Sequence, residues 1–314
     1  MEKQIKAISM KPIEIIVITY NRPDDTLALL ENLCSLQDAA TYLEKIILLN
    51  NASTADYSKV EDFVNKQSAT PVHYIKSNLN LGVTAGRNHA LQFSQSPFIV
   101  FLDDDALLED NNTLKNILTA FDKRSPQNRE TGLVSFRVLY YPSLVPQINA
   151  LPHKKVAKYL HQNFFATYYF AGGAHAIKRD LLLQLGGLPE DFFYGMEEYD
   201  ISYRLLQAGY GIVYDASITM LHKESPLGRT TKKEKWQMMW LNKCRVAWRY
   251  LPKQYFYSTA ILWSFKYLLS TKMDFKGWWE NWIKILSIPK SERRTPISND
   301  CLTYLEKVEA RLWY

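Results

Sequence analysis

Cysteine is scarce in this chain: Cys34, Cys244 and Cys301 are the three among 314 residues, and they lie far apart. That usage gives neither a disulfide framework nor the paired spacing of a zinc site, and it suits a reducing compartment. Long apolar runs are missing as well. No stretch approaches the ~18 uninterrupted apolar residues that a spanning helix needs. The opening MEKQIKAISMKPIEIIVITY has no apolar block followed by a small-residue cleavage site, so the expected location is cytoplasmic. No repeat, low-complexity tract or nucleic-acid reader motif is present and the net charge is a modest +6, which removes nucleic acid from the expected partners. What is there is ordinary globular material, 47% hydrophobic and 22% charged, enough for a sizeable core.

The modest net charge hides a division. From Lys223 onward there are 18 Lys/Arg against 8 Asp/Glu, and all eight tryptophans also fall there. A shift in both charge and aromatic content at one place predicts a boundary, with one unit at 1–225 and a basic, Trp-rich helical region at 226–314. Within the first unit short apolar runs alternate with helical patterns, the mark of an α/β protein with a mostly parallel sheet flanked by helices. Strands are expected at Ile13–Tyr20, Lys45–Leu49, Val72–Lys76 and Phe98–Leu102, with helices at Asp24–Ser35, Ala55–Lys66 and Val83–Phe93. Further strands are expected at Gly132–Tyr141, Ala166–Lys178 and Gly211–Tyr214, with a helix at Glu197–Gln207. The carboxyl ends of parallel strands collect functional groups, and here they carry Thr19-Tyr20-Asn21-Arg22, Asn50-Asn51 and Asp103-Asp104-Asp105.

Four short segments could carry chemistry. Three adjacent carboxylates repel one another, and a hard divalent cation would relieve them. Alternation along an extended chain puts Asp103 and Asp105 on one side and Asp104 on the other. A solvated acidic turn explains the same residues. Gly82-Val-Thr-Ala-Gly86-Arg87-Asn88 opens a helix and offers small residues, a helix N-terminus and a forked donor to a diphosphate, or is an ordinary helix cap. Glu197 and Glu198 begin a helix, where acids partner the dipole; a carboxyl in a closed cleft beside others would instead be raised into the range of a general base. His222 follows a strand-like run and is either structural or a neutral metal ligand.

In order, VITYNRP, LLNNAS, NLGVTAGRN, FLDDDA, FAGGAHAIKRDLLLQLGGLPEDFF and MEEYDISYRLLQAGY, with a late His222, resemble the family-2 glycosyltransferases of GT-A fold, of the inverting, bacterial cell-surface polysaccharide type. The resemblance implies that Thr19, Tyr20, Arg22 and Asn50 line a nucleotide pocket, Asn50 standing where many members have aspartate. It places Arg87 and Asn88 near a diphosphate and Gly172 and Gly173 beside the donor sugar. Asp103 and Asp105 fall at the two ends of the element that holds Mn²⁺ or Mg²⁺, with Asp104 between them on the nucleotide side and His222 as third metal ligand. Glu198 falls on the catalytic base, with Glu197 as its substitute. The implied partners are a UDP- or dTDP-linked sugar donor and a glycan acceptor, which would be a polyprenol-linked glycan if the C-terminal region lies on the membrane surface.

Beyond residue 225 the pattern Trp236, Trp240, Cys244, Ala247, Trp248, Leu251 forms a helical stripe, and Trp278, Trp279 and Trp282 sit among lysines. Such amphipathic stretches either pack on the catalytic unit and cover its cleft or lie peripherally on the inner face of the plasma membrane, and the two are compatible. Two rival functions remain at this level. A sugar-1-phosphate nucleotidyltransferase would need a Gly- and basic-rich triphosphate loop near the start, where this chain has Tyr20-Asn21-Arg22-Pro23. A catalytically silent binding subunit would not need Asp103, Asp105, Glu198 and His222 together.

Overall fold

The structure, a computed structural model, describes residues 10–67, 69–109, 112–227 and 231–313; most of the opening segment read for a signal lies outside them. In chain order the elements are β1 (Ile13–Thr19), α1 (Pro23–Ser35), α2 (Ala39–Tyr42), β2 (Leu43–Asn51), α3 (Ser58–Lys66), β3 (Val72–Ser77), α4 (Gly82–Leu91), β4 (Phe98–Asp103), β5 (Ala106–Leu108) and α5 (Thr113–Asp122). They continue with β6 (Thr131–Tyr140), α6 (Val156–Tyr159), β7 (Phe164–Thr167), β8 (Ala174–Lys178), α7 (Arg179–Gln184), α8 (Glu197–Gln207) and β9 (Gly211–His222). Four helices finish the chain: α9 (Lys232–Tyr250), α10 (Lys253–Ser270), α11 (Phe275–Ser291) and α12 (Asn299–Lys307).

The strands form one sheet in the order β3-β2-β1-β4-β8-β6-β9-β5, with β7 also on β9. From β3 to β4 all neighbours are parallel. The continuous apolar runs of β1, β2 and β4 follow from that, because both faces are covered. Beyond β4 the sheet is mixed: β8 lies antiparallel to both β4 and β6, and β9 parallel to β6. The stretch expected as one strand, Ala166–Lys178, is two. Its middle, Tyr168–Gly173, carries the chain from β7, paired with β9, to β8, paired with β4 and β6. The stretch from Gly211 to His222 is instead one long strand, with a register shift against β6 between Phe136 and Arg137.

A Thr231–Glu234 capping box starts α9, a reciprocal pair that satisfies two orphan N–H groups. The expected stripe is real: Trp240, Cys244, Ala247, Trp248 and Leu251 are buried. They share one apolar cluster with Ile16 and Phe101 of the sheet, Tyr203 of α8 and Tyr304 of α12. The outer faces of α10 and α11 are different. Ile261, Phe265 and Leu269 on α10 and Phe275, Trp279, Ile283 and Leu286 on α11 are all exposed, Leu269 by 78% and Trp279 by 63%. Among the described residues no helix is long and apolar enough to cross a membrane.

Candidate active site

Sheet register gathers the acidic residues. Thr19 at the end of β1 lies opposite Asn50 on β2, and Ile18 lies opposite Asp103 on β4. On the other side of β4, Leu102 pairs with Ala174, and the Asp103 N–H donates to the Gly173 carbonyl at 3.2 Å. β5 then pairs Ala106 with His222, while the Lys223 N–H donates to the Asp105 carbonyl at 3.0 Å. Two ladders therefore hold a histidine from the far end of the domain beside the aspartate triplet.

Asp103, Asp105 and His222 each offer a ligand atom within 4.8 Å of the others. The His222 ring is oriented from behind. Gln147 Oε1 lies 2.8 Å from His222 Nδ1, and the same amide donates through Nε2 to Glu224 at 3.1 Å. The Glu224 carboxylate fixes which end of the amide faces the ring, so Nδ1 carries the proton and Nε2 is free. That free nitrogen faces Asp105 Oδ1 at 3.3 Å, and Oδ1 is buried with no hydrogen-bond partner among the described residues. Two lone-pair atoms so placed call for a cation between them, a proton or a metal ion. The donor set, two carboxylates and an imidazole, fits Mn²⁺ or Mg²⁺. Burial acts to lower the His222 pKa and the Asp105 carboxylate to raise it; the carboxylate wins. Asp105 is the converse: burial raises it, but His222 and Arg22 leave it below the ordinary carboxylate range.

Asp104 points the other way, as strand alternation predicts. It accepts from the Tyr20 N–H at 3.3 Å and from Arg22 Nη1 at 2.7 Å, and Arg22 Nη1 also reaches Asp105 at 3.2 Å. Arg22 continues to the Leu227 carbonyl through Nε at 2.7 Å, tying the segment after β9 over this side. The other residues expected at the nucleotide are placed as follows. Thr19 is fully buried, its hydroxyl against those of Thr26 and Tyr57. Asn50 donates to the Tyr74 hydroxyl and accepts from the Ser53 N–H, both at 2.9 Å. Asn88 clamps the loop before α8, accepting from the Leu188 N–H and donating to its carbonyl.

Behind Asp103 lies the α8 pair. Arg87, on α4 and 4% exposed, reaches Asp103 through Nη2 at 3.2 Å and Glu197 through Nη1 at 3.7 Å. Glu197 is thereby a buried, paired acid. Glu198 has no ion pair among the described residues and is half-buried, lining a cavity of about 540 Å³. Burial first, and the neighbouring Glu197 second, push its pKa up to about 8. The two glycines of the FAGGA segment admit these acids. A Cβ on Gly173 would strike the Asp103 carboxylate, and one on Gly172 would come within 2.5 Å of Glu198 Oε1. Arg87, Asp103, Gly172, Gly173, Glu197, Glu198 and His222 thus share one cavity, while Thr19, Tyr20, Arg22, Asn50 and Asn88 stand outside its wall.

Sequence reasoning missed Gln147, Glu224 and Lys243. Gln147 lies in the Pro-broken loop after β6 with no local signal. Lys243 lies off the apolar stripe of α9, yet it is buried, its Nζ 3.1 Å from the centroid of the Tyr199 ring.

With this geometry in hand, comparison with known proteins is decisive at the level of family. Residues 14–185 match the family described as "Glycosyl transferase family 2". The O-antigen chain rhamnosyltransferase WbaN of Salmonella anatum is 26% identical over 229 residues, covering 69% of this chain and 67% of that one. Among solved structures, GalNAc-T7 with UDP, GalNAc and Mn²⁺ has a TM-score of 0.62 at 16% identity over 89% of this chain, which spans 58% of that longer protein. TarS of S. aureus, residues 1–349 with UDP-GlcNAc, gives 0.61 at 15% identity over 89% of this chain and 81% of that one. At such identity the structural matches speak for the GT-A fold alone, whereas the family match covers more than half of the chain. Sequence and fold agree that this chain belongs to glycosyl transferase family 2, and it is a glycosyltransferase.

Proposed function

We propose that the protein transfers a sugar, with inversion, from a UDP- or dTDP-linked donor to a hydroxyl of a lipid-linked glycan in cell-surface polysaccharide synthesis. The observation that carries this reading is His222, held by Gln147 against the buried Asp105 Oδ1, in one cavity with Asp103 and with a Glu198 carboxyl that has no ion pair among the described residues. Asp103, Asp105 and His222 would hold Mn²⁺ or Mg²⁺, and the ion, when bound, offsets negative charge on the departing nucleoside diphosphate. Arg87 adds a fixed positive charge on the same side, and Arg22 and Asp104 stand toward the nucleotide. Glu198 takes the proton of the acceptor hydroxyl as its oxygen bonds to the anomeric carbon; the bond from that carbon to the phosphate oxygen breaks, and its electron pair leaves with the diphosphate. One displacement from the opposite face inverts the centre.

The named ligands of the relatives support the donor class: UDP, GalNAc and Mn²⁺ with GalNAc-T7, UDP-GlcNAc with TarS. The Salmonella relative's O-antigen role supports the polysaccharide context. Slow donor hydrolysis and thermal stabilisation, scored over a panel of nucleotide sugars with Mn²⁺, test the reading without an acceptor; silence with every donor would sink it. Release of pyrophosphate from a nucleoside triphosphate would support a nucleotidyltransferase instead.

A base with a raised pKa must lose its proton to work, so activity rises with pH as Glu198 ionises. The acid limb of kcat/KM is expected to fall well above the ordinary Glu value of 4.5, toward about 8. A flat profile from pH 5 to 8 would speak against Glu198.

The division at residue 225 belongs to the same proposal, with 1–225 as the catalytic unit and 226–314 as cleft cover and membrane contact. Exposed apolar residues on α10 and α11 are flanked by exposed Lys253, Lys272, Lys276, Lys284 and Lys290. An apolar face edged with lysines suits the anionic inner surface of the plasma membrane, where each basic residue near the surface contributes ~1 kcal/mol. The full chain should sediment with phosphatidylglycerol vesicles at low salt. Trp279→Glu with Leu269→Glu should weaken that binding by roughly tenfold or more; equal sedimentation of variant and parent would remove the contact from this face.

A further inference from the structure

The cavity is not acidic throughout. Lys154 from the loop before α6, Lys243 from α9, Lys266 from α10 and Arg311 after α12 also line it. Four separated stretches of chain have to come together to place four cations there. Lys243 lies deepest, 7% exposed, with its Nζ over the ring of Tyr199, the residue after Glu198. Lys154 sits 4.9 Å from the Tyr169 ring centroid and Lys266 4.8 Å from that of Trp263, both rings lining the same space. Among the described ion pairs no carboxylate meets Lys154 or Lys243.

Gathering like charges is costly, and the cost is visible. Burial first and Lys154 second hold Lys243 well below its ordinary value, and burial, Lys266 and Arg311 do the same, less strongly, to Lys154. A cluster that lowers its own charge is relieved by an anion. The donor diphosphate does not supply that anion in the proposed reading, because its charge is met by Arg87 and the ion site. Glu198 lines the same cavity as both sets of charges: Arg87 and Asp103 act on its carboxyl, and its own charge acts on Lys154 and Lys243. An acceptor hydroxyl delivered to Glu198 would therefore have the rest of its sugar beside the lysines, with the rings of Tyr169, Tyr199 and Trp263 available to its apolar faces.

We infer that Lys154, Lys243, Lys266 and Arg311 form an acceptor subsite for an oxyanion, a phosphate ester or a carboxylate, carried on or next to the acceptor sugar ring. This rests on the assignment of Glu198 as the base that faces the acceptor. Lys266 belongs to the helix whose outer face carries Phe265 and Leu269, so the subsite stands next to the face proposed to meet lipid, where a phosphate joining a sugar to its lipid anchor would lie.

The test is calorimetric titration of the full chain, with Mn²⁺ and UDP present, by N-acetylglucosamine 1-phosphate, glucuronic acid and methyl glucoside. A charged sugar should bind roughly tenfold or more tightly than the neutral glycoside; preference for the phosphate or for the acid names the source of the oxyanion. Lys154→Gln with Lys266→Gln, both exposed and so removable without disturbing the core, should erase the preference, as should Lys243→Met. Lys59→Gln, on α3 and away from the cavity, should keep it. No preference for charge, or a preference that survives both cavity variants, overturns the subsite. Hydrolysis of a nucleotide sugar by a protein without the preference would overturn the subsite alone, whereas preference in a protein that hydrolyses no donor would overturn the acceptor assignment along with the transferase mechanism.

Discussion

Replacing Glu198 by Gln should lower sugar transfer by about 10³-fold while leaving donor KM near its parent value. The amide keeps the size and most contacts of the side chain but cannot accept the hydroxyl proton, and general-base catalysis contributes typically ~10²–10⁴-fold. The neighbouring acid should behave differently. Glu197 is 4% exposed and lies 3.7 Å from Arg87, so Glu197→Gln removes one of the two carboxylates that meet this buried guanidinium and leaves the half-exposed Asp103 as the other. Its loss should show as lower stability and weaker donor binding together. A second readout does not depend on turnover. Because burial raises Glu198 from its usual value to about 8, its neutral form is the one the fold favours. The stability this contributes is complete below the ordinary Glu range and fades as pH rises toward about 8. Glu198→Gln should therefore flatten the fall of Tm over that window. Near-parental transfer by the Gln variant would remove the base assignment; an unchanged Tm profile would mean that the carboxyl is more hydrated than the geometry places it.

How much of this was legible in the sequence depends on the range of each interaction. The strands β1, β2 and β4 read within one or two residues because parallel strands covered on both faces are unbroken apolar runs. Helix α8 read to the residue. The Ala166–Lys178 stretch did not, because its apolar composition stays strand-like while its two ends pair with different strands, β9 first and then β4 and β6, a constraint set by residues distant in the chain. The metal trio was legible only through the ordered motifs, since His222 alone looks like any strand-end histidine. Its two ladders, to β5 and β6, are tertiary facts. Least legible were the lysines. Lys243 adjoins the buried Cys244 on a helix that carries several other lysines and arginines, so nothing singles it out, and Lys154, Lys266 and Arg311 reach the cavity from three other segments; nothing local marks charges that meet only after folding. The charge shift at residue 225 was plain, but it did not say that part of that charge turns inward.

Asp105→Asn should cost roughly 10²–10³-fold in transfer, and removal of divalent ions by EDTA should abolish it, with Mn²⁺ or Mg²⁺ restoring the parent. Asp103→Asn should cost less. The two aspartates differ in what else supports them. Asp103 is half-exposed and shares its charge with Arg87 at 3.2 Å, so part of its role in fixing the donor side passes to the guanidinium. Asp105 is 1% exposed and already engages Arg22, the Ser225 N–H and His222. Among the described residues its Oδ1 meets only the His222 ring nitrogen, at 3.3 Å and without a hydrogen bond, and an amide there would put either a neutral oxygen or an N–H in its place. Direct Mn²⁺ titration by electron paramagnetic resonance separates lost metal from lost fold. Weakened Mn²⁺ binding with a normal thermal transition is the expected result for Asp105→Asn. Gln147→Leu gives the graded case, since removing the group that orients a ligand histidine typically costs ~10–100-fold in metal affinity. Full transfer in EDTA, or Mn²⁺ affinity indifferent to Asp105, Asp103 and His222 alike, would show that the carboxylates at the end of β4 serve the nucleotide or the fold and that charge on the leaving diphosphate is met by Arg22 and Arg87 alone.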